Sequence, residues 1–419
     1  KLADWFGTIE NWDQVKEEDR FEIEDTSRNM CFGNDEISSD NYRAFGMHGP
    51  YRLPEKKHFK VFFIHTKAGG TAKAHLIKHL KAEEGYQSIN SYSHIPLVYE
   101  EGMDFEVDDI KNIKEELSHY IQHLDLKAEV QYMAIYLSPY SKYGQKGIAH
   151  EYYYWVKEIL LKRSIISQVI DQSKIKGHVN FWIPNISMAM VAKMGGIPWK
   201  LARATDDELI VGFGAFKTIK RATPYIGSSF CFDNEGRFQE FDCWSEMEEW
   251  ALNGQLLKAI KEYIKKNGSI KRLVIHYYKE LNKREFRQVG KLLDHFDSSI
   301  PIIVVRINST FQHKELVMDM GYPKKLPSNG SYYHLQYHDY LLYINEREKG
   351  SFSHIKSAQY PLKVSLQSNQ AGLFTTNPEI VPRLMQQLYD FSLLHWRSIN
   401  QPKLPVTIAY PQYLARIFP

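Results

Sequence analysis

Cysteine is scarce: Cys31, Cys231 and Cys243 are the only three in 419 residues. Without a CxxC pair or an even framework, neither a disulfide scaffold nor a thiolate zinc site is expected, and a reducing, cytoplasmic setting fits. No apolar run approaches the ~18 residues that a membrane span needs. The opening KLADWFGTIENWDQ lacks the charged-then-apolar layout of a signal peptide, so a soluble protein with no membrane partner is expected. Several signatures of chemistry are missing too. GxGxxG, GxxxxGK[ST], GxSxG and HExxH do not occur, which removes support for dinucleotide binding, a phosphate loop, a hydrolase nucleophile and a zincin.

What is present is enough apolar material, 43% of residues, to bury two or three globular cores. The net charge of +3 hides an asymmetry. Residues 1–40 hold 12 acidic and 4 basic side chains, whereas residues 41–419 hold 49 basic and 38 acidic. Residues 141–200 alone carry 9 basic against 3 acidic, a balance that suits a polyanion partner or simply a solvated helix face.

Along the chain, hydrophobic periodicity alternates between two and about 3.6. HFKVFFIHT (58–66) and VQYMAIYLSPY (130–140) read as strands, and TAKAHLIKHLKAEEG (71–85), AHEYYYWVKEILLKRS (149–164) and FWIPNISMAMVAKMGG (181–196) as helices. Such alternation implies a Rossmann-like α/β unit over residues 45–200, preceded by an acidic extension over 1–44. From residue 201 to 419 the order changes. DELIVGFGAF (207–216) is a strand, SSFCFDNEGRFQEF (228–241) a hairpin, and WALNGQLLKAIKEYIKKNG (250–268) a helix with a lysine-rich end. Strands RLVIHYY (272–278), IPIIVVRIN (300–308), YHDYLLYIN (337–345) and LPVTIAY (404–410) follow, with helices over 283–296 and 378–396 between them. An antiparallel start followed by crossovers is the layout of an RNase H-like unit.

Gly212-Phe213-Gly214 is a weak phosphate cradle, because no helix start or nearby basic residue follows it. Two-metal chemistry needs paired carboxylates. A nuclease would have to use carboxylates such as Asp206, Asp207 or Asp339, and RLVIHYY offers none. Residues 153–193 are richer. Tyr153 and Lys157 stand four apart and share a helix face, Gln168 follows after a short connection, and Lys193 closes the next helix before Gly195-Gly196. A phenol, two ammonium groups and an amide at the mouth of a Rossmann-like sheet would suit a terminal phosphate. Each has an ordinary reading as well: Tyr153 sits in a run of three tyrosines that could be core, and both lysines could be surface residues.

The Tyr-x-x-x-Lys pair, the glutamine, AKMGGIPWKL (192–201) and LPVTIAYPQYLA (404–415) resemble the MID and PIWI domains of short prokaryotic Argonautes, over GMHGPYRLP (46–54) to the C-terminus. The resemblance implies a MID domain over 45–200 and a PIWI domain over 201–419. It implies that Tyr153, Lys157, Gln168 and Lys193 anchor the 5′-phosphate of a guide, with Tyr154 a rival for Tyr153. A magnesium ion bridging guide phosphates, helped by Gln168 and the terminal carboxylate after Pro419, is part of the same implication. The family's catalytic carboxylate or histidine positions would fall on Gly214, Tyr278 and Gln412, all of which lack a metal-binding carboxylate or imidazole, so no nuclease activity is expected. The implied partners are a guide, RNA rather than DNA, a complementary single-stranded DNA, and a separate APAZ protein bearing a TIR or sirtuin-like NADase or a nuclease. Target recognition would then trigger NAD depletion and abortive defence against plasmids or phage, with assembly into a larger oligomer left open. A guide-directed nuclease and a purely structural subunit are the competing readings.

Overall fold

The computed structural model describes residues 14–140, 148–175, 182–203, 208–216, 226–233, 238–244, 261–265, 270–278, 283–293, 299–308, 315–322, 325–345, 347, 360–396 and 403–414. The chain divides into two compact units, one of residues 29–202 with 396–399 and one of residues 1–28, 203–395 and 400–419.

Strand β1 (Arg20–Glu22) belongs to the second of these units. In the first, β2 (Met30–Cys31) pairs with β3 (Ile37–Ser38) on one side and β9 (Lys200–Leu201) on the other. Helix α1 (Asn41–His48) brings Phe45 beside Trp199, which also meets Phe32. The described part of residues 1–44 packs on the body in two places. Residues 29–44 fold onto the segment after Gly196, because burying these aromatics outweighs the acidity of their neighbours, while β1 pairs in register with β15.

The main sheet of this unit is parallel, in the order β5-β4-β7-β8, with β6 beside the far end of β4. Its strands are β4 (His58–Thr66), β5 (Leu97–Tyr99), β6 (Phe105–Val107), β7 (Val130–Ser138) and β8 (Ile166–Asp171). β4 and β7 read as nearly continuous apolar runs because helices cover both of their faces. Helices α2 (Gly70–Lys81), α3 (Ile89–Ser93), α4 (Ile113–Gln122), α5 (Ile148–Leu161) and α6 (Ile183–Lys193) complete the unit. On one face Phe62, Ile64, Ala134, Tyr136 and Val169 pack with Ile113, Leu117 and Ile121 of α4 and Val156 and Leu160 of α5. This is the Rossmann-like arrangement read from the sequence.

The second unit is a nine-stranded mixed sheet in the order β1-β15-β16-β17-β14-β13-β10-β11-β12. β10 (Glu208–Phe216), β11 (Ile226–Asp233) and β12 (Phe238–Trp244) run antiparallel, then β13 (Arg272–Tyr277) and β14 (Ile302–Asn308) continue parallel to β10. The hairpin turn at 234–237 and most of the helix expected over 250–268 lie outside the described residues. Strands β15 (Ser331–Gln336), β16 (Asp339–Leu342) and β17 (Leu362–Ser368) extend the sheet, and helices α7 (Lys283–Leu293), α8 (Leu373–Thr376), α9 (Ile380–Leu393) and α10 (Val406–Leu414) cover it. This is the RNase H-like order.

One expected strand is a helix. LPVTIAY carries the β-branched residues of a strand, yet Val406–Leu414 forms α10, started by Pro405, whose carbonyl accepts from the amides of Ile408 and Ala409 at 3.0 and 2.9 Å. The reason is tertiary. A Cβ on Gly212 would lie 2.2 Å from the Thr407 carbonyl oxygen, so the bare backbone of β10 accepts the backbone of α10 directly.

Candidate nucleic-acid interface

Tyr152, Val156 and Leu160 fix the rotation of α5 by turning into the core, and Tyr152 stacks on Tyr140 at 5.6 Å and 8°. One position further round, Tyr153 and Lys157 are half-buried and stand one turn apart. The Lys157 ammonium lies 4.7 Å from the centre of the Tyr153 ring, a cation–π contact. Tyr154, the rival phenol, meets the Tyr153 ring edge-on at 5.1 Å.

The second pair is made by an edge strand and a helix end. β8 closes one side of its sheet, and by strand alternation Gln168 faces away from Val169, the residue that packs with α5. Helix α6 stops in a Schellman motif: the Gly196 amide donates to Val191 O at 3.0 Å and the Gly195 amide to Ala192 O at 3.2 Å, with Gly195 at φ +90°. That stop leaves Lys193 in the last turn, where the helix dipole favours a cation. Its ammonium donates to Ser167 O and Gln168 Oε1, both at 2.7 Å. The four side chains named from the sequence thus come together as two pairs, Tyr153 with Lys157 and Gln168 with Lys193.

Both pairs offer positive charge and hydrogen-bond donors, which is chemistry for an oxyanion. They do not by themselves suit a divalent metal. The only amide oxygen accepts from an ammonium, neither pair has a carboxylate, and two cations repel a third; among the described residues no group of three or more His, Cys, Asp or Glu side chains could hold one.

The positions named for hydrolysis fall at the carboxyl end of β10 and β13. The recorded parallel register ends at Gly212–His276; Gly214 lies two residues further along β10, and Tyr278 just past the end of β13. Neither offers a carboxylate. Tyr278 is 44% exposed, its ring 4.8 Å from that of Tyr277, and Gln412 lies on α10. Beneath them His276 is fully buried, with Nδ1 2.8 Å from Thr407 Oγ1, and burial pushes its pKa down to about 3. It is a neutral tether for α10. Of the alternative carboxylates, Asp339 on β16 pairs with Lys363 at 3.2 Å, three places from β13 in the strand order, and Asp206 and Asp207 lie outside the described residues.

Sequence reading missed one buried polar cluster. Arg203 bridges Asp390 at 3.2 Å and Glu24, while Gln386 donates to Asp390 at 2.7 Å and to Ser27. Its members are up to 366 residues apart in the chain, so no local pattern could mark them.

A Piwi domain model matches residues 145–289, a range that takes in all four candidate residues together with β10 and β13. The solved structure of Marinitoga piezophila Argonaute in complex with 5′ OH guide RNA and target DNA matches 97% of this chain with a TM-score of 0.65, at 15% identity and over 58% of its own length. The fold is that of an Argonaute. Among curated proteins, a Piwi protein of Archaeoglobus fulgidus is 22% identical over 400 residues, 88% of this chain and 86% of its own. An argonaute of Cereibacter sphaeroides is 23% identical over 308 residues, 63% of this chain and 37% of its own. The chain spans little more than half of the solved Argonaute and most of the archaeal Piwi protein. Its Rossmann-like and RNase H-like units correspond to the MID and PIWI architecture of Argonautes.

Proposed function

We propose that the chain holds the 5′-phosphate of a short guide, RNA in preference to DNA, and presents the guide to a complementary single-stranded DNA that it recognises without cutting. The observation that carries this reading is the Lys193 ammonium fixed on Gln168 of an edge strand at 2.7 Å, with a second cation, Lys157, held over the Tyr153 ring on α5. Base pairing supplies sequence selection, and protein cations grip the guide backbone. The Marinitoga neighbour carries a 5′ OH guide, so a hydroxyl-ended guide is the rival ligand. The two cations favour phosphate. Magnesium has no part in this reading, since the side chains present do not suit it.

The second half of the proposal concerns output. Gly214 near the end of β10 and Tyr278 just past the end of β13 leave a two-metal hydrolysis without a carboxylate at either position. The signal then passes to a separate effector, an APAZ protein with a TIR or sirtuin-like NADase, whose activation depletes NAD and aborts infection by plasmid or phage.

The test compares 5′-phosphorylated and 5′-hydroxyl guides of one sequence by direct binding. The unaltered protein is expected to prefer the phosphate. Lys157→Ala with Lys193→Ala should remove that preference, a loss of about 2–5 kcal/mol by analogy with truncated charge pairs. Equal binding of both guides by the unaltered protein would overturn the phosphate assignment. A guide-directed cut of target DNA by the isolated chain, with Mg²⁺ or Mn²⁺, would overturn the non-cutting assignment.

A further inference from the structure

The guide-binding residues proposed above all lie in the first unit, and a group of exposed cations on helical segments of the second has no part in that site. One face of its nine-stranded sheet buries Leu209, Val211, Phe213, Leu273, Ile275, Tyr277, Ile302 and Val304. Two helical segments cover that core: residues 261–265, through Tyr263 and Ile264, and α7, through Phe286 and Val289. With Phe286 and Val289 turned inward, 3.6 residues per turn sets Arg284, Arg287 and Lys291 on the opposite, outer side of α7 at i, i+3 and i+7, with Lys283 on its flank. All four are exposed, as are Lys261 and Lys265 on the neighbouring segment, where Glu262 is the exposed acid among the described residues.

We infer that this outer layer is a second, sequence-independent binding surface for the phosphate backbone of a nucleic-acid strand. The stripe of three cations runs about 10 Å along the helix, a linear array that fits a linear polyanion. Two of the three are arginines, whose planar fork takes phosphate oxygens in pairs. A lipid surface is disfavoured, since the apolar residues of α7 are spent on the core and its outer side carries Arg284, Arg287, Gln288 and Lys291. The surface lies across the sheet from α10. Strand alternation puts Phe213 and Tyr277 on the α7 side, so Gly212 and His276, both of which meet Thr407 of α10, belong to the other side. A strand held here is one that the guide does not pair with, such as DNA flanking the recognised segment.

The test uses the full chain without guide and a fluorescent single-stranded DNA with a 5′ hydroxyl, read as Kd over a series of salt concentrations. Replacing Arg284, Arg287 and Lys291 by Gln should weaken binding and reduce the slope of log Kd against log salt by about 2, at ~0.7 per phosphate contact on a single strand. The phosphate preference of guide binding should stay unchanged in that variant, so failure here and failure of the 5′-phosphate assignment are read separately. A control replaces the exposed Lys111, Lys114 and Lys127 of the first unit by Gln and should leave the slope unaltered. An unchanged slope in the α7 variant, or an equal drop in the control, overturns the assignment. So does binding of an acidic polypeptide, poly-glutamate, with the same dependence on the three residues.

Discussion

Gly212 has two jobs that a side chain would spoil: it continues a central strand and it touches the backbone of a helix. A Cβ there meets not only the Thr407 carbonyl oxygen but also its carbonyl carbon and Cβ, each at 2.8 Å, so relief would require α10 to move as a body. Gly212→Ala is therefore expected to destabilise the protein by at least about 1–3 kcal/mol, measured by denaturant unfolding. A loss below ~0.5 kcal/mol would mean that α10 yields freely and that the contact does not hold it. At this scale the sequence was only half legible. The glycines of VGFGAF stood out as anomalous in a strand, but the partner that explains Gly212 lies 195 residues later, in a segment whose β-branched residues imitate a strand. Tyr153 and Lys157 were legible because helical spacing alone brings them together. The hydrogen bond between Gln168 and Lys193 depends on how far α6 runs before it stops, and only Gly195-Gly196 hinted at that.

At the scale of elements, the parallel pair β10 and β13 is a scaffold for metal ligands without the ligands. Its register is continuous from Glu208–Arg272 to Gly212–His276, and adjacent strands lie about 4.8 Å apart. Two carboxylates introduced by Gly214→Asp and Tyr278→Asp would stand at the carboxyl ends of these two strands. The double variant is expected to bind Mn²⁺ at least tenfold more tightly than the parent, followed by calorimetry, because paired carboxylates supply the hard oxygen ligands that the parent lacks there. Either single substitution should give much less, one carboxylate being a poor chelator. Cleavage is not expected from the double variant, since the third position, Gln412, still offers no metal ligand. No gain in Mn²⁺ affinity would mean that the two positions do not converge. The parallel order of these strands followed from the alternation of short apolar runs with helices. Of the strands that continue the sheet beyond β14, β15 is hard to read because SYYHLQ sets two tyrosines side by side and breaks any alternation, whereas LKVSLQS of β17 does alternate, its Leu362, Val364 and Leu366 being buried, and period two alone marks it.

Across the whole second unit, the cluster around Arg203 ties three distant stretches of chain, residues 24–27, residue 203 and α9, into one network. Asp390 is 3% exposed, and burial raises its pKa to about 7, against the opposing pull of Arg203 and Gln386. A carboxyl group whose folded pKa lies above its unfolded value of about 3.9 keeps its proton longer in the folded state, so stability falls as pH rises between the two values and levels off above the folded one. Removing the guanidinium removes the main charge that lowers this pKa. Arg203→Ala is therefore expected to cost little at pH 5, about 1 kcal/mol for lost hydrogen bonds, because Asp390 is neutral in both proteins. At pH 8.5 the unaltered protein buries a compensated carboxylate, whereas the variant must bury an uncompensated charge or hold a proton, and the cost should rise to about 3 kcal/mol. Denaturant unfolding at the two pH values measures the difference, and hydrogen exchange should show residues 20–28 losing protection first, since β1 and Ser27 depend on the same anchorage. A cost independent of pH would mean that Arg203 stabilises the unit through the largely exposed Glu24 alone, and that Asp390 has no share in holding the N-terminal stretch to α9.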